Sequence, residues 1–173
     1  MTTPAETTAM ATLNGKPYVV QVSAFISPGL PYFSIIGCSD ASISDMRERI
    51  KTAIIGTGRA WPQCRVTVNL SPCAVRRDDP RSTELAAALA ICAAIDGSHD
   101  RYKNVISAGE IDENGHIGRI GRIGIMAAHA TLSRNTTIIT GETDAKALHR
   151  LGIPAQGAAN LTQALAIHPG RTH

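Results

Sequence analysis

The sequence predicts an α+β domain: a mixed β-sheet with helices packed on it. Three observations carry this. Segments of β-branched residues alternate with helical segments in the order β-β-α-β-α-β-β-α-β-α-α, which mixes hairpins with crossovers and so mixes antiparallel with parallel neighbours. "RVTVNL" (65–70) places Val66, Val68 and Leu70 on one face and Thr67 and Asn69 on the other, the two-residue period of a half-buried strand. "ELAAALAICAAI" (84–95) is apolar nearly all round, as a helix buried on every side must be.

The elements follow in order. Residues 1–14, "MTTPAETTAMATLN", are small and polar and are expected to be disordered, leaving one domain over residues 15–170. "KPYVVQVSAFI" (16–26) and "YFSIIG" (32–37) read as strands joined by the turn "SPGLP", and are expected to pair. In 39–58, Ile43, Met46, Ile50, Ala53 and Ile54 recur at helical steps, with Asp45, Glu48 and Lys51 opposite and Gly56 and Gly58 at the stop. The buried helix has two possible starts. Asp79 can cap it with Pro80 at the first position, or Ser82 can cap it with Glu84 in the first turn. Either puts Ser82 at the helix N-terminus.

"KNVISAGEI" (103–111) is a strand, "DENG" a hairpin turn, and "HIGRI" (116–120) the return strand. A helix over 124–133, a strand over 135–140, a helix over 143–152 capped by Thr143 and a last helix over 160–167 capped by Asn160 complete the chain. Gly118, Gly121 and Gly124 are expected to permit tight backbone approach. Arg119 and Arg122 have three readings: solvent, salt bridges to Glu110 or Asp112, or phosphate near a helix N-terminus.

The 173 residues carry 43% hydrophobic but only 3% aromatic residues, so the core is built from Ile, Val, Leu and Ala. Net charge is +3 and the pI about 8.8, a mild bias toward anionic partners. Four cysteines lack C-x-x-C spacing, no secretory signal is read, and no apolar run is long enough for a bilayer; the reading is cytoplasmic, with reduced thiols and no membrane partner. Neither G-x-x-x-x-G-K-[ST] nor G-x-G-x-x-G occurs, and the six histidines are scattered, so no nucleotide cofactor and no metal are expected.

Three segments in order, "SPGLPYFSIIG…RERIKTAI", "RVTVNLSPC" with the loop and apolar helix behind it, and "SAGEIDENGHIGRIGRIGIMAAHA", resemble the magnesium-chelatase-like N-terminal domain of the ComM type. The resemblance runs from about residue 17 to 168. That domain is similar to the Lon protease proteolytic domain and to the C-terminal domain of RadA, which implies a ribosomal-protein-like, Lon-like fold. In Lon proteases a serine at the N-terminus of the apolar helix is activated by a lysine in the helix after the hairpin; a hydroxyl needs such a neutral amine to take its proton. Ser82 lies at the serine position. The lysine position falls at Gly124, which has no side chain, so the Ser-Lys dyad is incomplete and no enzymatic activity is expected. His129 is the substitute base in an alternative reading as a serine peptidase with a Ser82–His129 pair.

The resemblance implies a non-catalytic domain acting in assembly and in DNA binding, as in recombination and branch-migration proteins, with an AAA+ ATPase as partner or as a missing domain, and a homo-oligomeric state. Arg76, Arg77, Arg81, Arg119 and Arg122 are the candidate phosphate contacts. A pure protein-interaction module is the third reading.

Overall fold

The computed structural model describes residues 2–38, 43–74, 77–130 and 136–170. The expected disorder of residues 1–14 gives way to a strand over most of that segment. Residues Ala5–Leu13 form strand β1, paired antiparallel along their whole length with β2 (Lys16–Ser27). The turn between them is Asn14-Gly15, with φ of 51° and 74°, the two successive left-handed residues that a tight hairpin requires. The expected disorder of 1–14 rested on small polar composition, but small residues are what this position needs. The Ala-rich helix α2 (Glu84–Ile95) packs directly on β1 and β2, and Ala5, Ala9 and Ala11 are fully buried in the same core as its Ala86, Ala90 and Ala93. Thr7, on the same side, donates its hydroxyl to the Val105 carbonyl at 3.2 Å, so its burial leaves no orphan.

Strand β3 (Tyr32–Cys38), helix α1 (Ile43–Gly56) and strand β4 (Arg65–Ala74) come next. The expected pairing of the second and third strands does not form. The chain crosses through α1, and β4 inserts between them, parallel to β3 and antiparallel to β2. The α1 face agrees with the helical period: Met46, Ile50, Ala53 and Ile54 are buried. A 3₁₀ turn, Pro80–Thr83, leads into α2; Asp79 caps it, its side chain accepting from the Arg81 amide at 3.2 Å.

The predicted strand 103–111 breaks at Gly109 into β5 (Val105–Ala108), which stays in the main sheet, and β6 (Glu110–Ile111), which forms a separate ribbon with β7 (Ile117–Gly118). Helix α3 (Ile123–Ala130), strand β8 (Thr137–Gly141) and helix α4 (Glu142–Arg150) follow. The cap of α4 is Gly141, and Thr143 sits inside its first turn. A strand absent from the sequence reading, β9 (Gln156–Ala158), precedes α5 (Leu161–Ala166), which Asn160 caps as expected by accepting from the Gln163 amide at 2.9 Å.

The fold is α+β. Seven strands form one mixed sheet in the order β3-β4-β2-β1-β5-β8-β9. One face carries α1, α2 and α5 over the main core; the other carries α3 and α4 over a second core around Met10, Ile106, Met126 and Leu148. Tyr32, Ile36, Arg65 and Asn69, on the face of β3 and β4 away from the main core, are exposed.

Candidate functional site

The residues singled out in the sequence converge where the 3₁₀ turn, the start of α2 and the β6–β7 ribbon meet. The backbone locks them together. The Leu85 amide donates to the Gly109 carbonyl at 3.0 Å, and the Gly109 amide to the Ser82 carbonyl at 3.2 Å. Gly109 has to be glycine: a Cβ there would stand 2.8 Å from Ile117 Cγ2.

Ser82 is 0% exposed and its hydroxyl has no hydrogen-bond partner. It does not cap α2; Asp79 starts the 3₁₀ turn and Thr83 precedes the helix. Beside it lies a residue that the sequence marked only as an acid in the first helical turn. Glu84 is fully buried, and its carboxylate accepts from Arg49 Nη2 at 2.6 Å, from Arg81 Nε at 3.3 Å and from the Ile111 amide at 2.7 Å. The available signal was its place as a lone carboxylate opening an otherwise apolar helix, which burial forces to find partners.

Arg81 is thereby committed. It also pairs with Glu110 at 3.1 Å and donates to the Ile111 carbonyl at 3.0 Å. Burial opposes its charge, but the Glu84, Glu110 and Asp79 carboxylates outweigh that and hold its pKa above the ordinary value. The Asp79 pKa is raised as well, which for a carboxylate disfavours the charge: burial raises it, against the lowering hydrogen bond from the Arg81 amide.

The five candidate phosphate contacts separate. Arg76 lies outside the described residues. Arg77 is corrected: it is 5% exposed and donates to the Gly37 and Pro72 carbonyls, both at 3.1 Å, tying β3 to β4 from within. Arg81 is corrected by its ion pairs. Arg119 and Arg122 are exposed.

Of their three readings, the salt bridges to Glu110 or Asp112 do not form: Glu110 pairs with Arg81 and Asp112 with His116, each at 3.1 Å. Arg122 instead adopts φ 62° at the entry to α3. It reaches across to the β1–β2 turn, where its Nη1 is 3.0 Å from the position of a Cβ on Gly15. There the Asp78 carboxylate accepts from the Asn14 and Gly15 amides at 3.0 and 2.8 Å. The Gly15 amide chiefly, with Arg122 contributing, lowers its pKa.

In the glycine-rich turn the expected close approach holds at Gly118 and Gly124 and not at Gly121. The left-handed residue in it is Arg122, and Gly118, Gly121 and Gly124 have ordinary φ. Gly118 permits close approach to Glu110, whose Oε1 would lie 2.7 Å from an added Cβ. A Cβ on Gly121 would point into open space, and one on Gly124 would meet Leu151 Cδ1, beyond the end of α4, at 3.0 Å. His129 is exposed on α3, across the sheet from α2. Among the described residues no group of three or more His, Cys, Asp or Glu converges as a metal site, and no helix is long and apolar enough to cross a membrane.

Comparison with known proteins agrees with the ordered motifs. The family described as subunit ChlI of Mg-chelatase matches residues 22–144, well over half of the chain. An uncharacterized protein of Mycobacterium tuberculosis is 28% identical over 109 residues, covering 63% of this chain and 21% of that protein. The uncharacterized protein YifB of Escherichia coli is 28% identical over 120 residues, 69% of this chain and 22% of YifB. The competence protein ComM of Haemophilus influenzae is 27% identical over 92 residues, 51% of this chain and 18% of ComM. The matched region spans only about a fifth of these relatives' length. With a matching family over residues 22–144 and relatives that include YifB and ComM, the chain belongs to the family of the ChlI subunit of Mg-chelatase, as a magnesium-chelatase-like domain of the ComM type.

Proposed function

We propose that this is a non-catalytic Lon-like domain that acts in assembly beside an AAA+ ATPase and contacts DNA. The observation that carries the non-catalytic part is the state of Ser82: 0% exposed, its hydroxyl without a partner, beneath a ribbon held by the Glu84 network. The cations beside that network, Arg49 and Arg81, are guanidinium groups, which stay protonated and cannot act as a base. A side chain at position 124 would start toward Leu151. These features favour an architectural role for Ser82 over the Ser82–His129 peptidase. The test is a serine-reactive fluorophosphonate probe applied to folded protein. The reading expects no labelling; labelling lost in Ser82→Ala would replace it with the peptidase.

The DNA part rests on the two exposed candidates, Arg119 and Arg122, and on the competence-protein relative. Affinity for duplex DNA should fall steeply with salt, and Arg119→Ala with Arg122→Ala should lower the salt slope by about 1–2. Undetectable duplex binding at low salt removes this part.

A specific observation also favours self-assembly. β3 is an edge strand, and Tyr32 and Ile36 along it and Leu30 before it are exposed. Unprotected apolar edges invite another chain. Light scattering that reports a monomer at high concentration would remove the oligomer.

A further inference from the structure

The main sheet ends in an open edge at β3. Among the described residues β4 is its one strand neighbour. The Tyr32 amide donates to the Cys64 carbonyl on the β4 side. Main-chain groups alternate sides along a strand, so Phe33 and Ile35 turn their amides and carbonyls away from β4. One of these groups is covered: Arg47 Nη1, from α1, donates to the Phe33 carbonyl at 3.1 Å. That contact brings a guanidinium to the free edge. One turn along α1, Lys51 Nζ stands 5.8 Å from the Trp61 ring centroid. Arg47, Lys51, Phe33 and Trp61 line a cleft of about 310 Å³ at the start of β3, and Glu48 is the one carboxylate in its walls. Among the described residues neither Arg47 nor Lys51 belongs to an ion pair.

The two faces of this edge differ. Phe33 and Ile35 pack toward the main core, on the side of α1 and its cations. Tyr32 and Ile36 lie on the opposite, bare face, 59% and 55% exposed. An extended chain laid along β3 presents its side chains alternately to these two surfaces. Its main chain takes the free amides and carbonyls, as in strand addition. Residues opposite Phe33 and Ile35 fall on the α1 side, where carboxylates meet Arg47 and Lys51. The residues between them fall beside Tyr32 and Ile36, where apolar side chains fit. Charge selects this occupant over a second copy. Two copies paired edge to edge would each bring two cations against one carboxylate, Glu48, and leave a surplus of like charge. An acidic strand removes that surplus.

We infer that the β3 edge binds an extended segment of a partner protein that alternates acidic with apolar residues, added as an eighth strand to the seven-stranded sheet. On docking, a partner amide takes the Phe33 carbonyl, and Arg47, released from it, turns to a partner carboxylate. Arg47 thus blunts the edge while it is empty and recognises the ligand when it is filled. This goes beyond the DNA reading and does not depend on it. Self-assembly would use the same edge, and the experiment separates the two.

Trp61 is the only tryptophan of the chain and lines the cleft, so its emission reports occupancy. A short end-capped peptide alternating Val and Glu is titrated into the chain at low salt. The comparison ligands are the Val-Lys peptide, polyglutamate, and two forms of the Val-Glu peptide N-methylated either at every Val or at every Glu. Only one of those two sets of amides faces β3, whichever way the strand runs. The expected result is a saturable change with the Val-Glu peptide, lost in one N-methylated form and kept in the other, and about tenfold weaker binding of polyglutamate and of the Val-Lys peptide. Arg47→Glu with Lys51→Glu, checked for folding by far-ultraviolet circular dichroism, should weaken the Val-Glu peptide about tenfold and admit the Val-Lys peptide. If that variant fails to fold, the peptide series still decides, since it changes only the ligand. No saturable change, equal effects of the two N-methylated forms, or equal binding of polyglutamate overturns the inference. So does a dimer, seen by light scattering of the chain alone, that the Val-Glu peptide neither binds nor dissociates; that result gives the edge to a second copy. A monomer that binds the Val-Glu peptide as expected leaves this inference standing and removes self-assembly.

Discussion

Glu84 and Ile111 are joined by a 2.7 Å hydrogen bond from the Ile111 amide to the Glu84 carboxylate, which fastens the β6–β7 ribbon over the start of the buried helix. Arg49 brings α1 to the same carboxylate at 2.6 Å, and Arg81 brings the 3₁₀ turn. One buried anion thus ties four elements together, and it does so directly beside Ser82.

Replacing Glu84 by Ala should therefore cost about 3 kcal/mol, the lower end for breaking a buried pair, since both arginines keep some access to water. Urea denaturation measures it. A loss below about 1 kcal/mol would mean that the network does not hold the ribbon.

Arg122 has φ 62°, a conformation that costs an L-residue about 1–2 kcal/mol. Arg122→Gly should recover about 0.5–1 kcal/mol, part of the relief being offset by the freedom glycine adds to the unfolded chain. The same variant should weaken duplex DNA binding, so stability and affinity should move in opposite directions. A lowered melting temperature would show that the arginine side chain stabilises the turn by more than its backbone strain.

Asp78 gives the fold an acid-side dependence. Its folded pKa lies below its ordinary value near 3.8, chiefly because the Gly15 amide donates to the carboxylate. The unfolded chain then binds the proton more readily, so the stabilisation is present above 3.8 and is lost as pH falls through the lower folded value. Asp78→Asn should flatten the pH dependence of the urea midpoint in that acid window and lower the midpoint at neutral pH, where the stabilisation by the charged carboxylate is fully present. An unaltered acid slope would exclude Asp78 as its source.

Cys92 is fully buried in α2, and burial pushes its thiol up to about 12, whereas Cys73 is exposed. A thiol reagent on native protein should modify Cys73 first and Cys92 only on unfolding, since the thiolate is the reactive form. Mass spectrometry of timed samples distinguishes them, and early modification of Cys92 would show that α2 opens far more readily than its packing implies.

Local chemistry was legible where it is written in neighbouring residues. The α1 face of Met46, Ile50, Ala53 and Ile54 follows from a helical period, and the Val66–Val68–Leu70 face of β4 from a period of two. Asn160 caps α5 because its own side chain reaches the amide three residues on. Asp79 with Pro80 opens the 3₁₀ turn that leads into the buried helix, but α2 itself starts after Thr83, which neither expected cap names.

What required the folded chain was every property set by a partner distant in sequence. β1 carries no strong apolar signal of its own. Its alanines are core residues because α2, some 80 residues away, packs on them and leaves no room for larger side chains. The neighbours of β2 changed because β4 could intervene between it and β3. Arg77 and Arg81 look like free cations in a polar loop. They became internal supports because Gly37 lies 40 residues before Arg77, and Glu110 and Ile111 lie about 30 residues beyond Arg81. Periodicity records which side of an element meets the core. It carries no record of which distant atom completes a buried charge, since that pairing exists only once the chain has closed on itself.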